Sequence, residues 1–112
     1  MSWTTTLTEA QAGMEDFAAG QTATAERFDA LHGTSMEAGA LDAKQKELMA
    51  LAIGISKQCV DCIAFHVQAS IEAGATRKEI EETIGVCILM GGGPAYMYGV
   101  KALKAFDEFT AS

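Results

Sequence analysis

Cys59 and Cys62 are separated by two residues, and His66 follows Cys62 at the spacing of one helical turn. That combination can do redox chemistry. On a helix the two thiols lie one turn apart on one face, and the imidazole lies one turn beyond the second. A thiol pair at this spacing can close a disulfide. A thiol near a helix N-terminus feels the positive end of the helix dipole, which favours the thiolate. An imidazole four positions on can take the thiol proton and hold it nearby, which is how a cysteine nucleophile is activated. The dipole favours Cys59 as the thiolate, whereas closeness to His66 favours Cys62.

Glu47 is the candidate third member. At about 1.5 Å per residue it lies roughly 15 Å up one helix from the turn before Cys59, and His66 lies roughly 10 Å along the next helix from the same turn. If the two helices form an antiparallel hairpin, as a short connection suggests, both residues reach similar heights. Small residues flank both, with Ala50 and Gly54 on the stripe through Glu47 and Ala69, Ser70 and Ala73 beyond His66. The helices can then approach closely. Glu47 would fix the tautomer of His66 and stabilise its protonated form.

Other readings of these residues exist. The two thiols could be ordinary buried cysteines. With His66 and Glu47 they could also fill a zinc tetrahedron, although structural zinc pairs usually come from turns and no second ligand pair is available. The third cysteine, Cys87, sits among Val86, Ile88 and Leu89 and reads as an inert core thiol. His32 lies in a polar, glycine-flanked stretch and reads as a surface residue without a partner. Gly91-Gly92-Gly93 is followed by no Gly-Lys-Ser/Thr, so it reads as a helix break rather than a phosphate loop. Met90, Tyr96, Met97 and Tyr98 read as core or subunit contact.

The elements that must position the site are helices. Thr6-Leu7-Thr8-Glu9 resembles a capping box for a first helix that runs towards Ala19. A second helix is expected from about Ala23 to Glu37, with Phe28, Leu31 and Met36 on its inner side. Asp42 with Gln45 can cap a third, whose apolar run Leu48–Ile55 reads as central and buried on all sides. Ser56-Lys57-Gln58 makes a short turn. A fourth helix runs from near Cys59 to Ala73, with Ile63, Val67 and Ile71 as its core stripe and Gly74 as its stop. Thr76-Arg77-Lys78-Glu79 caps a fifth that carries Ile80, Ile84, Cys87 and Ile88. Pro94 is placed to start a sixth, at its first position. The expectation is an all-α bundle of about six helices in one domain over residues 1–112.

Composition sets the outer limits. The chain has 112 residues, 49% of them hydrophobic, which suffices for one packed core. A single proline and abundant Ala, Leu, Met, Glu and Lys favour helix. The net charge of −7 argues against nucleic acid and against anionic membrane surfaces, both of which call for clustered Lys and Arg. The first twenty residues have neither a basic region nor an apolar one of the kind that leads a secreted chain. The apolar run Leu48–Ile55 is far shorter than the roughly 20 residues that span a bilayer. A cytoplasmic protein is expected, and there a CxxC points to redox chemistry or metal binding.

Glu47, eleven residues, then Cys59-x-x-Cys62-x-x-x-His66 resembles the signature of the AhpD-like alkylhydroperoxidases, within the carboxymuconolactone decarboxylase superfamily. The surroundings agree: Leu41–Leu48 before the motif, Ala73-Gly74-Ala75-Thr76 with Glu79-Ile80 after it, and Met90-Gly91-Gly92-Gly93-Pro94 near the end. The resemblance covers roughly residues 25–105. It implies an AhpD-like helical bundle that assembles as homotrimers or homohexamers. It also implies a thiol-dependent peroxidase of peroxiredoxin type, acting on a small organic hydroperoxide through a cysteine sulfenic acid. A dithiol reductant, protein or small molecule, then re-reduces the disulfide. Carried over, Cys62 is the peroxidatic thiol, Cys59 the resolving thiol, and His66 with Glu47 the proton relay. No cofactor or metal is implied.

One position departs from the pattern. Asp61 stands where well-known peroxidatic members have a second histidine. A carboxylate beside the thiols disfavours the thiolate, so weaker peroxidase activity or a different substrate is expected. The competing classes are a disulfide reductase, a redox- or metal-sensing module, and a decarboxylase-like enzyme acting on a small acid. The decarboxylase branch generally lacks the cysteine pair.

Overall fold

A computed structural model describes residues 2–111. They form six helices, α1 (Trp3–Gly20), α2 (Thr22–Met36), α3 (Ala43–Ser56), α4 (Val60–Glu72), α5 (Arg77–Gly91) and α6 (Gly93–Thr110). No strand occurs among the described residues. The fold is all-α.

Local chemistry sets most of the boundaries. Asp42 Oδ1 accepts from Gln45 N at 2.7 Å, while Gln45 Oε1 accepts from Asp42 N at 2.9 Å. Thr76 and Glu79 exchange the same pair of bonds at the head of α5. Each box satisfies two amides that a helix start otherwise leaves unpaired. Gly74, at φ +93°, ends α4 in the left-handed conformation that glycine adopts without a Cβ clash. Pro94 is the second residue of α6 rather than its first, because Gly93 is already helical.

The start of α1 differs from expectation. The helix begins at Trp3, and its cap is Ser2, whose Oγ accepts from Thr5 N at 2.9 Å. Thr6 is inside the helix, where its hydroxyl donates to Ser2 O. The extra turn is held from outside. Glu108 of α6 accepts from the amides of Trp3 and Thr4, each at 2.8 Å. An anion at a helix N-terminus is favourable. The hydrogen bonds from Thr4 and Trp3 hold the Glu108 carboxyl below its ordinary range.

The core lies between α3, α4, α5 and α6. Leu51, Ile55, Ile63, Val67 and Ile80 are fully buried there, with Ala102 and Ala105 beside them. At Gly99 a Cβ would come within 2.5 Å of Ile84 Cγ2, so the absence of a side chain sets the spacing of α5 and α6. Cys87 is buried, and burial pushes its thiol up from the ordinary value. Of the α4 stripe, Ile63 and Val67 are buried and Ile71 is partly so.

Two expected faces are open. α2 buries no residue, and Phe28 and Leu31 are 61% and 60% exposed. α2 packs mainly on α1 and only marginally on α3, so no second layer covers its apolar side. α3 is not buried all round either, since Met49 and Ile53 face outward. Its neighbours cover one side only.

Candidate redox site

The site is built on the α3–α4 hairpin. Gln58 turns the chain at φ +57°, an uncommon conformation for a residue with a side chain. Its neighbour Cys59 donates its N–H to Gly54 O at 3.0 Å and becomes the N-cap of α4. Cys59 Sγ accepts from Cys62 N at 3.2 Å. The two cysteines are joined as a disulfide, with Cα atoms 5.2 Å apart. Gly54 makes room for this pair: a Cβ on it would lie 3.1 Å from Cys62 Cβ.

The antiparallel course of the hairpin sets Glu47 against His66. Glu47 Oε1 lies 2.8 Å from His66 Nδ1. Their side chains are 12% and 23% exposed, which leaves the pair only partly screened by water. An ionised carboxylate only accepts, so Nδ1 carries the hydrogen in this bond. In the neutral ring Nε2 is then the nitrogen free to take a proton.

A cleft of about 1450 Å³ opens between α1, α2 and the first half of α4. Cys62, His66, Asp61 and Phe65 line it from α4, whereas Cys59 is not part of the lining. Asp61 is exposed in the first turn of α4, where a carboxylate complements the helix dipole. Across the cleft stand Glu9, Met14, Glu15 and Phe17 of α1 and Phe28, Asp29 and His32 of α2. The lining has four carboxylates and two imidazoles, and no Lys or Arg among its described residues.

His32 is therefore not the unpartnered residue that its sequence surroundings suggest. Its ring centroid lies 6.4 Å from that of His66, with the planes inclined by 28°. Sequence reasoning missed it because the juxtaposition depends on how the α1–α2 hairpin sits against α4. Among the described residues no group of three or more His, Cys, Asp and Glu converges where a metal ion could sit.

Residues 22–105 match the carboxymuconolactone decarboxylase family. The chain belongs to that family. Among its relatives, an uncharacterized protein of Cupriavidus necator is 36% identical over 107 residues, covering 96% of this chain and 95% of that one. A carboxymuconolactone decarboxylase family protein from Legionella pneumophila has a crystal structure that superposes with TM-score 0.95 at 38% identity. That likeness covers 97% of each chain. A further family member, from Thermotoga maritima, superposes with TM-score 0.82 at 28% identity and covers 92% of this chain and 88% of its own. The description of the Thermotoga protein connects it with an antioxidative response. Among the described residues no helix of this family member is long and apolar enough to cross a membrane.

Proposed function

We propose that this chain is a thiol-dependent peroxidase that reduces neutral, apolar organic hydroperoxides. The observation that carries the reading is one cleft that presents Cys62 beside His66, with Cys59 within disulfide reach and Glu47 hydrogen-bonded to the imidazole. Family membership and the antioxidative description of the Thermotoga relative agree with it.

The cycle balances as follows. His66 takes the Cys62 proton, and the thiolate attacks the terminal oxygen of ROOH. An S–O bond forms, the O–O bond breaks, and the electron pair leaves on RO⁻, which is protonated to ROH. Cys59 then attacks the Cys62 sulfenic acid, forming the disulfide and releasing water. A dithiol donor reduces the disulfide and is itself oxidised.

The lining supports the substrate class. Met14, Phe17, Phe28 and Phe65 offer apolar surface. Glu9, Glu15, Asp29 and Asp61 repel an anion. A small carboxylic acid suits this lining poorly for the same reason. The test compares linoleate hydroperoxide with its methyl ester, with dithiothreitol as donor. The ester is expected to have a kcat/KM higher by roughly tenfold, about 1.4 kcal/mol, with the gap narrowing in high salt. Preference for the free acid would remove the substrate assignment. Turnover of neither would remove the peroxidase.

We further infer that the chain self-associates, as a trimer or hexamer. Leu89 and Met90, at the end of α5, are 82% and 80% exposed, and Met97 of α6 is also open to solvent. Large apolar side chains this exposed suit contact with another copy of the chain. Light scattering at micromolar concentration is expected to give three or six times the 11.8 kDa chain mass. A monomer would contradict this.

A further inference from the structure

The second wall of the cleft carries chemistry that the set Cys59, Cys62, His66 and Glu47 does not use. His32 is exposed on α2 and lines the cleft together with Cys62 and His66. α2 buries none of its residues, so core packing does not account for the position of this ring. The two imidazole centroids are 6.4 Å apart. Both rings line one cleft, so a peroxide bound in it meets an imidazole from each wall.

Peroxide reduction at Cys62 involves two proton movements. One proton leaves the thiol, and one must reach the alkoxide as the O–O bond breaks. His66 has Nδ1 engaged by Glu47, so it offers one free nitrogen for both movements, and a second imidazole lets separate groups serve them. The other titratable groups of the lining are Glu9 and Glu15 of α1, Asp29 of α2 and Asp61 of α4. Carboxylic acids ordinarily have no proton to give at neutral pH, whereas imidazole carries an N–H in either protonation state.

We propose that His32 is a general acid of this site and a catalytic residue in its own right. It donates its proton to the leaving alkoxide while His66 accepts the proton of Cys62. The sum is ROOH plus the Cys62 thiol giving ROH plus the Cys62 sulfenic acid. His32 then recovers a proton from water, to which it is exposed, and His66 gives one up. The proposal rests on the peroxidase reading above and assigns it a second imidazole from a different helix.

The test uses leaving groups. Reduced wild type, His32→Phe and His32→Gln are each mixed with tert-butyl hydroperoxide or peroxyacetic acid, and Cys62 oxidation is followed by stopped flow. tert-Butoxide is a poor leaving group that needs the proton; acetate leaves without it. Both variants are expected to slow the hydroperoxide reaction by on the order of 10²-fold and to leave the peroxyacetic acid rate close to wild type. A ring that served only to pack or to position would slow both oxidants alike, and that outcome, or no slowing at all, overturns the proposal. Wild type inert to both oxidants removes the underlying peroxidase reading, and His32 with it, before any variant is compared.

Discussion

Replacing Cys62 with serine is expected to lower hydroperoxide turnover by at least about 10³-fold, the scale on which loss of a covalent nucleophile is felt. A serine hydroxyl cannot be oxidised to a sulfenic acid or close a disulfide, so no part of the cycle survives. Cys59→Ser should behave differently. Cys62 lines the cleft and Cys59 does not. The Cys59 variant therefore keeps the first step and loses the second. Without added thiol it should consume one equivalent of hydroperoxide, hold a sulfenic acid on Cys62 that dimedone traps, and then stop. Turnover coupled to dithiothreitol oxidation and mass spectrometry of the adduct separate the two variants. A dimedone adduct on Cys59 in the Cys62 variant, with the reverse absent, would exchange the two roles.

The second large effect concerns the proton relay. His66→Asn is expected to slow Cys62 oxidation by between about 10² and 10⁴, the range of a positioned general base. Glu47→Gln keeps the size of the side chain and an oxygen that accepts from Nδ1–H, so the fold should hold. It removes the negative charge beside the ring, and a loss near the low end of that range is expected. On the proposed relay Glu47 acts through His66, from which it accepts a hydrogen bond at 2.8 Å. The double variant should thus be no slower than His66→Asn alone. Additive losses in this cycle would show that Glu47 works on something other than the imidazole.

Much of this arrangement is legible in the sequence because its logic is local. Asp42 with Gln45 and Thr76 with Glu79 are three residues apart, and a capping box needs nothing further away. Cys62 and His66 share a face by helical periodicity alone, with Cys59 capping the same helix. Glu47 requires one more step, the antiparallel hairpin, and counting residues from the turn places it level with His66. Features that depend on two distant elements are not legible in this way. The early start of α1 is held by Glu108, which lies at the other end of the chain. Phe28 and Leu31 have core-like spacing, but periodicity says which side of a helix is apolar, not whether this chain covers it. His32 meets His66 only because the α1–α2 hairpin leans over α4, and no pattern in its own neighbourhood encodes that.

Asp61 has a plain structural reason as well. It occupies the first turn of α4, where its charge complements the helix dipole. Its place in the cleft lining connects it to substrate choice, since it adds to the negative field that an anionic peroxide would meet. On the proposed role of His32, that residue, rather than one between the cysteines, provides the second imidazole.

The most direct measurement of the central claim is a thiol count on wild type. The chain has three cysteines, of which Cys87 is buried. Fully reduced protein is titrated with one equivalent of cumene hydroperoxide, denatured, and assayed for free thiols and for cumyl alcohol. The expected result is a fall from three thiols to one, a Cys59–Cys62 disulfide by mass spectrometry, and one cumyl alcohol per chain. Three thiols remaining beside unconsumed hydroperoxide would contradict the account.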